Sequence, residues 1–134
     1  MALRLIPAVH RATHQIGLSL ERARALEVNQ AEAHLLAHLA EHGDATIARL
    51  HQAFGHKRST LTSILDRLAD RGLVTRETDA ADRRSFVVRL TPRGVKRARL
   101  VATHLAALER QALAGVPARV RDAVLDVLAR LEMG

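Results

Sequence analysis

Apolar residues recur at three- and four-residue steps through most of this 134-residue chain, and the pattern turns to alternation near one place only, around residues 73–90. Val9, Ala12, Ile16, Ser19 and Ala23 place one stripe on a helix from about residue 7 to 26, and Pro7 suits its first turn. Asn29 followed by Glu32 has the form of a capping box, opening a second helix whose Leu35, Leu36 and Leu39 face inward and which stops at Gly43. Asp44 is placed to cap a short third helix that carries Ile47 and Leu50 and ends near Phe54 and Gly55. A fourth helix is predicted from about Lys57 to Arg71, with Leu61, Ile64, Leu65 and Leu68 on one side and Gly72 as its terminator.

Beyond Gly72 the period shortens. "LVTRET" and "SFVVRL" are rich in β-branched residues, and Phe86, Val88 and Leu90 alternate with Val87 and Arg89, as in a half-buried hairpin strand. Thr91 and Pro92 open a long helix to about Ala114; Gly115 breaks it, and Pro117 starts a last one with Val120, Val124, Val127, Leu128 and Leu131 on one side. Helix, turn, helix and hairpin in that order predict a mostly α fold with a small β-hairpin wing, a winged helix-turn-helix. Residues 29–91 would form it, and residues 1–28 with 92–134 a helical dimerisation arm. The apolar stripes at Val9, Ile16, Leu20, Leu105, Leu108, Val120, Val124, Leu128 and Leu131 exceed what a unit of about 60 residues buries alone, and a second copy of the chain is the simplest cover.

Composition sharpens this picture. With two Phe and no Trp or Tyr, the core falls to Leu, Val, Ile and Ala, which suit closely packed helices. Without cysteine there is no disulfide framework, thiolate zinc site or thiol redox sensor. No run of 18 apolar residues and no signal-like N-terminus occurs, so a cytoplasmic protein with no membrane association is expected. The net charge is +7, yet residues 49–99 hold 13 of the 21 Lys+Arg and only 5 of the 14 Asp+Glu. All the net charge lies in that segment, and gathering cations on one surface is what phosphate neutralisation requires.

The run "STLTSILDRLADRGLVTRETDAADRRSFVVRLTPRG" resembles the MarR family of bacterial transcription regulators. Its Leu-x-x-x-Gly-Leu-Val-x-Arg element falls on Leu68, Gly72, Leu73, Val74 and Arg76, its Asp-x-Arg on Asp82 and Arg84, and its Leu-Thr-x-x-Gly on Leu90, Thr91 and Gly94. The motifs cover about residues 29–95 and the helix layout nearly the whole chain. Two positions depart from the pattern: Lys57 stands where many members cap the recognition helix with Ser or Thr, and His51 where a small residue usually packs. The resemblance implies a homodimer on double-stranded DNA and puts a small-molecule effector in the cleft between arm and DNA-binding lobe.

The residues themselves suit that role. Ser59 and Ser63 lie opposite the leucine stripe of the fourth helix with Thr60 and Thr62 on its flanks, and short hydroxyls there can reach base edges or phosphates in a major groove. His56, Lys57 and Arg58 crowd the N-terminus of that helix against its dipole, at roughly 0.3 to 1 kcal/mol for each exposed cation, and a phosphate reverses the sign. Arg93, Lys96 and Arg97 repeat the pattern on the next helix, with local carboxylate pairing as the alternative. Arg83 and Arg84 would reach a minor groove. By charge and resemblance, Asp82 would support the wing by holding Arg76 or Arg84.

Histidine offers the competing chemistry. His34, His38 and His42 recur every four residues, as do His10 and His14, so each set could approach one metal ion. No His-Glu-x-x-His or cysteine accompanies them, and there is no Gly-rich phosphate loop, nucleophile elbow or clustered carboxylate pair, so no metal, cofactor or enzymatic activity is assigned. The expected function is a sequence-specific, operator-binding regulator acting as a repressor on an inverted repeat. The alternatives are a non-switching winged-helix protein that coats or organises duplex DNA and, less favoured, a His-liganded metalloenzyme.

Overall fold

The computed structural model describes residues 2–134, which form six α-helices and three short strands: α1 (Leu5–Arg22), α2 (Gln30–His42), β1 (Ala45–Thr46), α3 (Ile47–Phe54), α4 (Arg58–Asp70), β2 (Val74–Thr78), β3 (Phe86–Leu90), α5 (Pro92–Leu113) and α6 (Ala118–Met133). They fall into two compact units, 1–102 and 103–134. In the first, Leu35, Leu36 and Leu39 of α2, Leu50 of α3, and Leu61, Ile64, Leu65 and Leu68 of α4 close on Leu73, Val74 and Val88 of the hairpin and Ala98 of α5. Every inward leucine predicted for the second and fourth helices is in this core, because there the 3.6-residue period and the buried face coincide.

Both Asn29–Glu32 hydrogen bonds of the capping box form: the Asn29 side chain accepts from the Glu32 N–H at 2.8 Å, and Glu32 Oε1 accepts from the Asn29 N–H at 3.1 Å. The third helix is capped differently from expectation. Thr46 Oγ1 accepts from the Arg49 N–H at 3.1 Å, while the Asp44 carboxylate is taken by Arg89 Nε at 2.8 Å. The cause is a strand absent from the local pattern: β1 pairs antiparallel with β3, Ala45 opposite Val88 and Thr46 opposite Val87, giving sheet order β1-β3-β2. That pairing carries the chain past Asp44 before the helix can begin.

The first helix ends at Arg22, short of the expected residue 26, and a 3₁₀ turn over Arg24–Leu26 follows. Its buried positions are Gly17 and Leu20, so the face turned to α2 is rotated from the Val9–Ile16 stripe. A Cβ at Gly17 would stand 2.5 Å from Gln30 Oε1, which shows how closely α1 lies on the start of α2. Leu20, expected at a partner surface, is 1% exposed within its own chain.

The hairpin root is fixed to the start of α5. Thr91 Oγ1 donates to the Gly72 carbonyl at 2.6 Å and accepts from the Gly94 N–H at 3.0 Å, and the Thr91 N–H donates to the Leu73 carbonyl at 3.1 Å. A Cβ on Gly94 would fall 1.9 Å from that Leu73 oxygen, so only glycine fits. Gly94→Ala is expected to lower unfolding stability by about 3 kcal/mol, the upper range of overpacking, measured by urea denaturation; a change under about 0.5 kcal/mol would mean the helix start can shift freely.

Candidate nucleic-acid interface

Four buried residues, Leu61, Ile64, Leu65 and Leu68, hold α4 by one side, and the other side is left outward. Arg58, Ser59, Thr60, Thr62 and Ser63 are all exposed. The N-cap is Lys57, in extended conformation with no side-chain cap, and the first turn contains no acidic residue. The first N–H groups of α4 thus point outward beside two exposed cations, neither of them in an ion pair among the described residues. This arrangement favours an anion. His51 is exposed, so its bulk does not enter the packing between the helices.

The four hydroxyls are not equivalent. Thr62 Oγ1 donates to the Arg58 carbonyl at 2.9 Å, committing its proton to the helix, whereas no such bond engages Ser59, Thr60 or Ser63 among the described residues. Thr62 can still offer its methyl group or accept; the other three can donate outward.

The wing tip is closed by its own aspartates. Asp79 Oδ1 accepts from the Ala81 N–H and Asp82 Oδ1 from the Arg84 N–H, both at 3.0 Å, and the Asp79 N–H donates to the Ser85 carbonyl at 2.9 Å. Arg84 Nε lies 3.5 Å from Asp82 Oδ1 while its side chain stays 94% exposed, so the guanidinium projects from a fixed base. Arg83 is exposed beside it. Of the two partners considered for Asp82, the structure gives it Arg84. Arg76 goes instead to Asp66 of α4, with Nη1 at 2.6 Å. This strand-to-helix clamp joins residues 10 apart in sequence and on different elements, and no local pattern signals it.

Arg97 takes the local alternative: Nη1 donates to the Leu26 carbonyl at 2.9 Å, and Nη2 is 3.6 Å from Glu27. Arg93 and Lys96 remain exposed without ion pairs among the described residues. Two of the three α2 histidines, His38 and His42, join a row of rings. His38 lies 4.5 Å from His42 and edge-on to Phe54 at 5.1 Å, and Phe54 stacks on His56 at 5.9 Å. Among the described residues, no three His, Asp or Glu side chains gather to hold a metal ion. Nearby, a groove of about 370 Å³ is lined by Leu39, Ala40, Leu90 and Val95, with Asp44 and Arg99 at its polar side. No described helix is long and apolar enough to cross a membrane.

Two helices joined through the left-handed Gly55, followed by a wing on a three-stranded sheet, define the winged helix-turn-helix class. A sequence model of the MarR family matches residues 18–85, half of the chain, and the protein belongs to that family of transcriptional regulators. Solved structures agree on the fold. The PcaV transcriptional regulator from Streptomyces coelicolor, in complex with its natural ligand, superposes with a TM-score of 0.81 at 22% identity, over 100% of this chain and 98% of that one. The reduced form of MarR from E. coli gives 0.76 at 20% identity over 98% of each chain. BpsR of Bordetella bronchiseptica, whose DNA binding is regulated by 6-hydroxynicotinic acid, gives 0.77 at 19% identity over 100% and 99%.

Burial lowers the His34 pKa below the ordinary 6.5, and burial followed by repulsion from His42 lowers that of His38 against the opposing pull of Glu41. A base held neutral by the fold binds more protons when unfolded, so its contribution is full above the unfolded value and is lost as pH falls through 6.5 toward the folded value. His34→Gln is therefore expected to flatten the fall in thermal midpoint between about pH 7 and about pH 5. Superimposable pH profiles for the variant and the parent would remove His34 from that role.

Proposed function

We propose that this protein is a homodimeric, sequence-specific double-stranded DNA-binding repressor of transcription, acting in the cytoplasm on an inverted-repeat operator. The observation that carries the proposal is the outward face of α4: free hydroxyls behind an uncapped, cation-flanked helix start, with Arg84 projecting from the wing. In this reading Ser59, Thr60, Thr62 and Ser63 face bases, Lys57 and Arg58 hold phosphate, and Arg83 and Arg84 enter the minor groove, while Arg76 and Asp82 support the wing from within.

The terminal segments, 1–28 and 92–134, supply the dimer interface. Helix α6 has no buried residue, and Val120, Val124, Leu125 and Leu131 are 43%, 52%, 57% and 40% exposed. Leu128 of α6 and, in the first unit, Val9 and Ile16 of α1 are also at least partly accessible; Leu20 is not. An apolar face of this extent calls for a cover, and a two-fold axis would set half-site centres about 10 base pairs apart.

The groove beside Arg99 suits a small aromatic acid, its ring against Leu39, Leu90 and Val95 and its carboxylate toward the guanidinium. A relative regulated by 6-hydroxynicotinic acid supports that class. Such a ligand modulates DNA binding only through unequal affinity for the DNA-bound and free forms.

Selection of bound duplexes from a random pool is expected to return one inverted repeat; enrichment of no sequence would favour a protein that merely coats DNA. On that repeat Arg84→Ala is expected to cost roughly 1 to 3 kcal/mol of binding with an unchanged thermal midpoint. Ser63→Ala should relax sequence preference, whereas Arg58→Ala should weaken all duplexes alike with a shallower salt slope. Equal losses on all sequences for Ser63→Ala would sink the base-reading role. For the interface, Val124→Asp combined with Leu128→Asp is expected to give a monomer with little operator affinity, and a double variant that sediments as a dimer would refute the placement.

A further inference from the structure

We infer that Phe86 is a DNA contact: its ring packs against the sugar edge of the duplex backbone, on the inner side of the wing. The inference rests on the duplex-binding reading above and adds an apolar component to an interface otherwise made of cations and hydroxyls. Phe86 stands opposite Thr78, two pairs along the ladder from Arg76–Val88 and four from Val74–Leu90. Directly opposed residues of an antiparallel pair share a face, so Val74, Arg76, Thr78, Phe86, Val88 and Leu90 line one side of the hairpin.

That side is identified by its contacts. Val74 and Val88 are buried in the core, and Arg76 reaches Asp66 on α4. It is the side turned toward the recognition helix, and along it the core ends at Val88. The next position carries an aromatic ring 47% exposed, although Val88 is fully buried. Among the described residues, no other large hydrophobic side chain between Ile16 and Leu100 is exposed to that extent. The surroundings name the partner. Arg83 and Arg84 are three and two residues away and exposed, which disfavours an apolar protein partner and favours a polyanion. Deoxyribose is the apolar strip that a polyanionic duplex presents between phosphates, and an aromatic ring behind a row of guanidiniums meets both.

A purely structural role is the competing explanation, since Phe favours strands and faces Thr78 across the ladder. Phe86→Thr separates the two, because a β-branched residue preserves strand preference and removes the ring. The expected result is an unchanged thermal midpoint with binding of a duplex of about 24 base pairs, long enough for two half-sites a turn apart, weakened about tenfold. Unweakened binding overturns the inference. A second variant reads the location directly. The chain has no Trp or Tyr, so Phe86→Trp creates a single indole reporter. Its emission is expected to change and its quenching by acrylamide to fall as unlabelled random-sequence duplex is added at low salt, with the midpoint given by anisotropy of the same duplex carrying a dye. Saturated anisotropy with unchanged emission and quenching places the ring away from DNA while leaving the binding reading intact. If the unaltered protein itself produces no anisotropy change, that reading fails first and Phe86 with it.

Discussion

One buried carboxylate ties the C-terminal end of α4 to the start of α2. Glu32 is 5% exposed, and its two oxygens have different tasks: Oε1 closes the capping box at the start of α2, and Oε2 receives Arg71 Nη1 at 3.3 Å from the end of α4. Arg71 also donates to the carbonyl of Glu27, whose left-handed backbone (φ 51) ends the 3₁₀ turn. Arg97 reaches the same turn from α5. Removing one member of a buried charge pair leaves the other uncompensated, typically at about 3 to 5 kcal/mol when both are enclosed. Here the 35% exposed Arg71 lowers that figure, because water takes up part of its charge. The consequence is geometric: the C-terminal end of α4 is fixed to the N-terminal end of α2, and the exposed Lys57 and Arg58 lie at its opposite end.

The wing is secured by a complementary logic. Its root is steric, set by the approach of Gly94 to Leu73, and its length is electrostatic, set by Arg76 to Asp66 and by Arg89 between Asp44 and Glu77. Each of these ion pairs is partly exposed and weak by itself. Asp66 and Glu77 are two of the five carboxylates in the cationic segment 49–99, so few are left there to pair with its other guanidiniums.

The local rules read well where a feature is completed within a turn or two of chain. The capping box of Asn29 and Glu32, the leucines of α2 and α4 and the break at Gly115 are of that kind. What escaped them depends on residues far apart in sequence. Arg71 lies 39 residues from Glu32, and β1 exists only because Val87 and Val88 are available to pair with it. Its pairing moved the cap of α3 from Asp44 to Thr46. The face of α1 was misjudged because Gly17 counts as no hydrophobe in a periodic pattern, although its lack of a side chain is what admits Gln30. At the interface, the residue types on α4 are legible, while Thr62's inward bond and the Asp66 clamp are set by side-chain placement in the folded chain.

The closed wing tip bears on kinetics. Asp79 and Asp82 hold the tip backbone in two side-chain turns, and Ser85 donates to the Asp82 carbonyl at 2.9 Å, so the loop carrying Arg83 and Arg84 is folded in the free protein. A loop that must be ordered on docking would contribute a conformational-entropy penalty and slow the last step of association. On the proposed binding mode, a preformed tip leaves encounter to charge and collision geometry, and the wing's contribution would show in how long the complex lasts rather than in how quickly it forms.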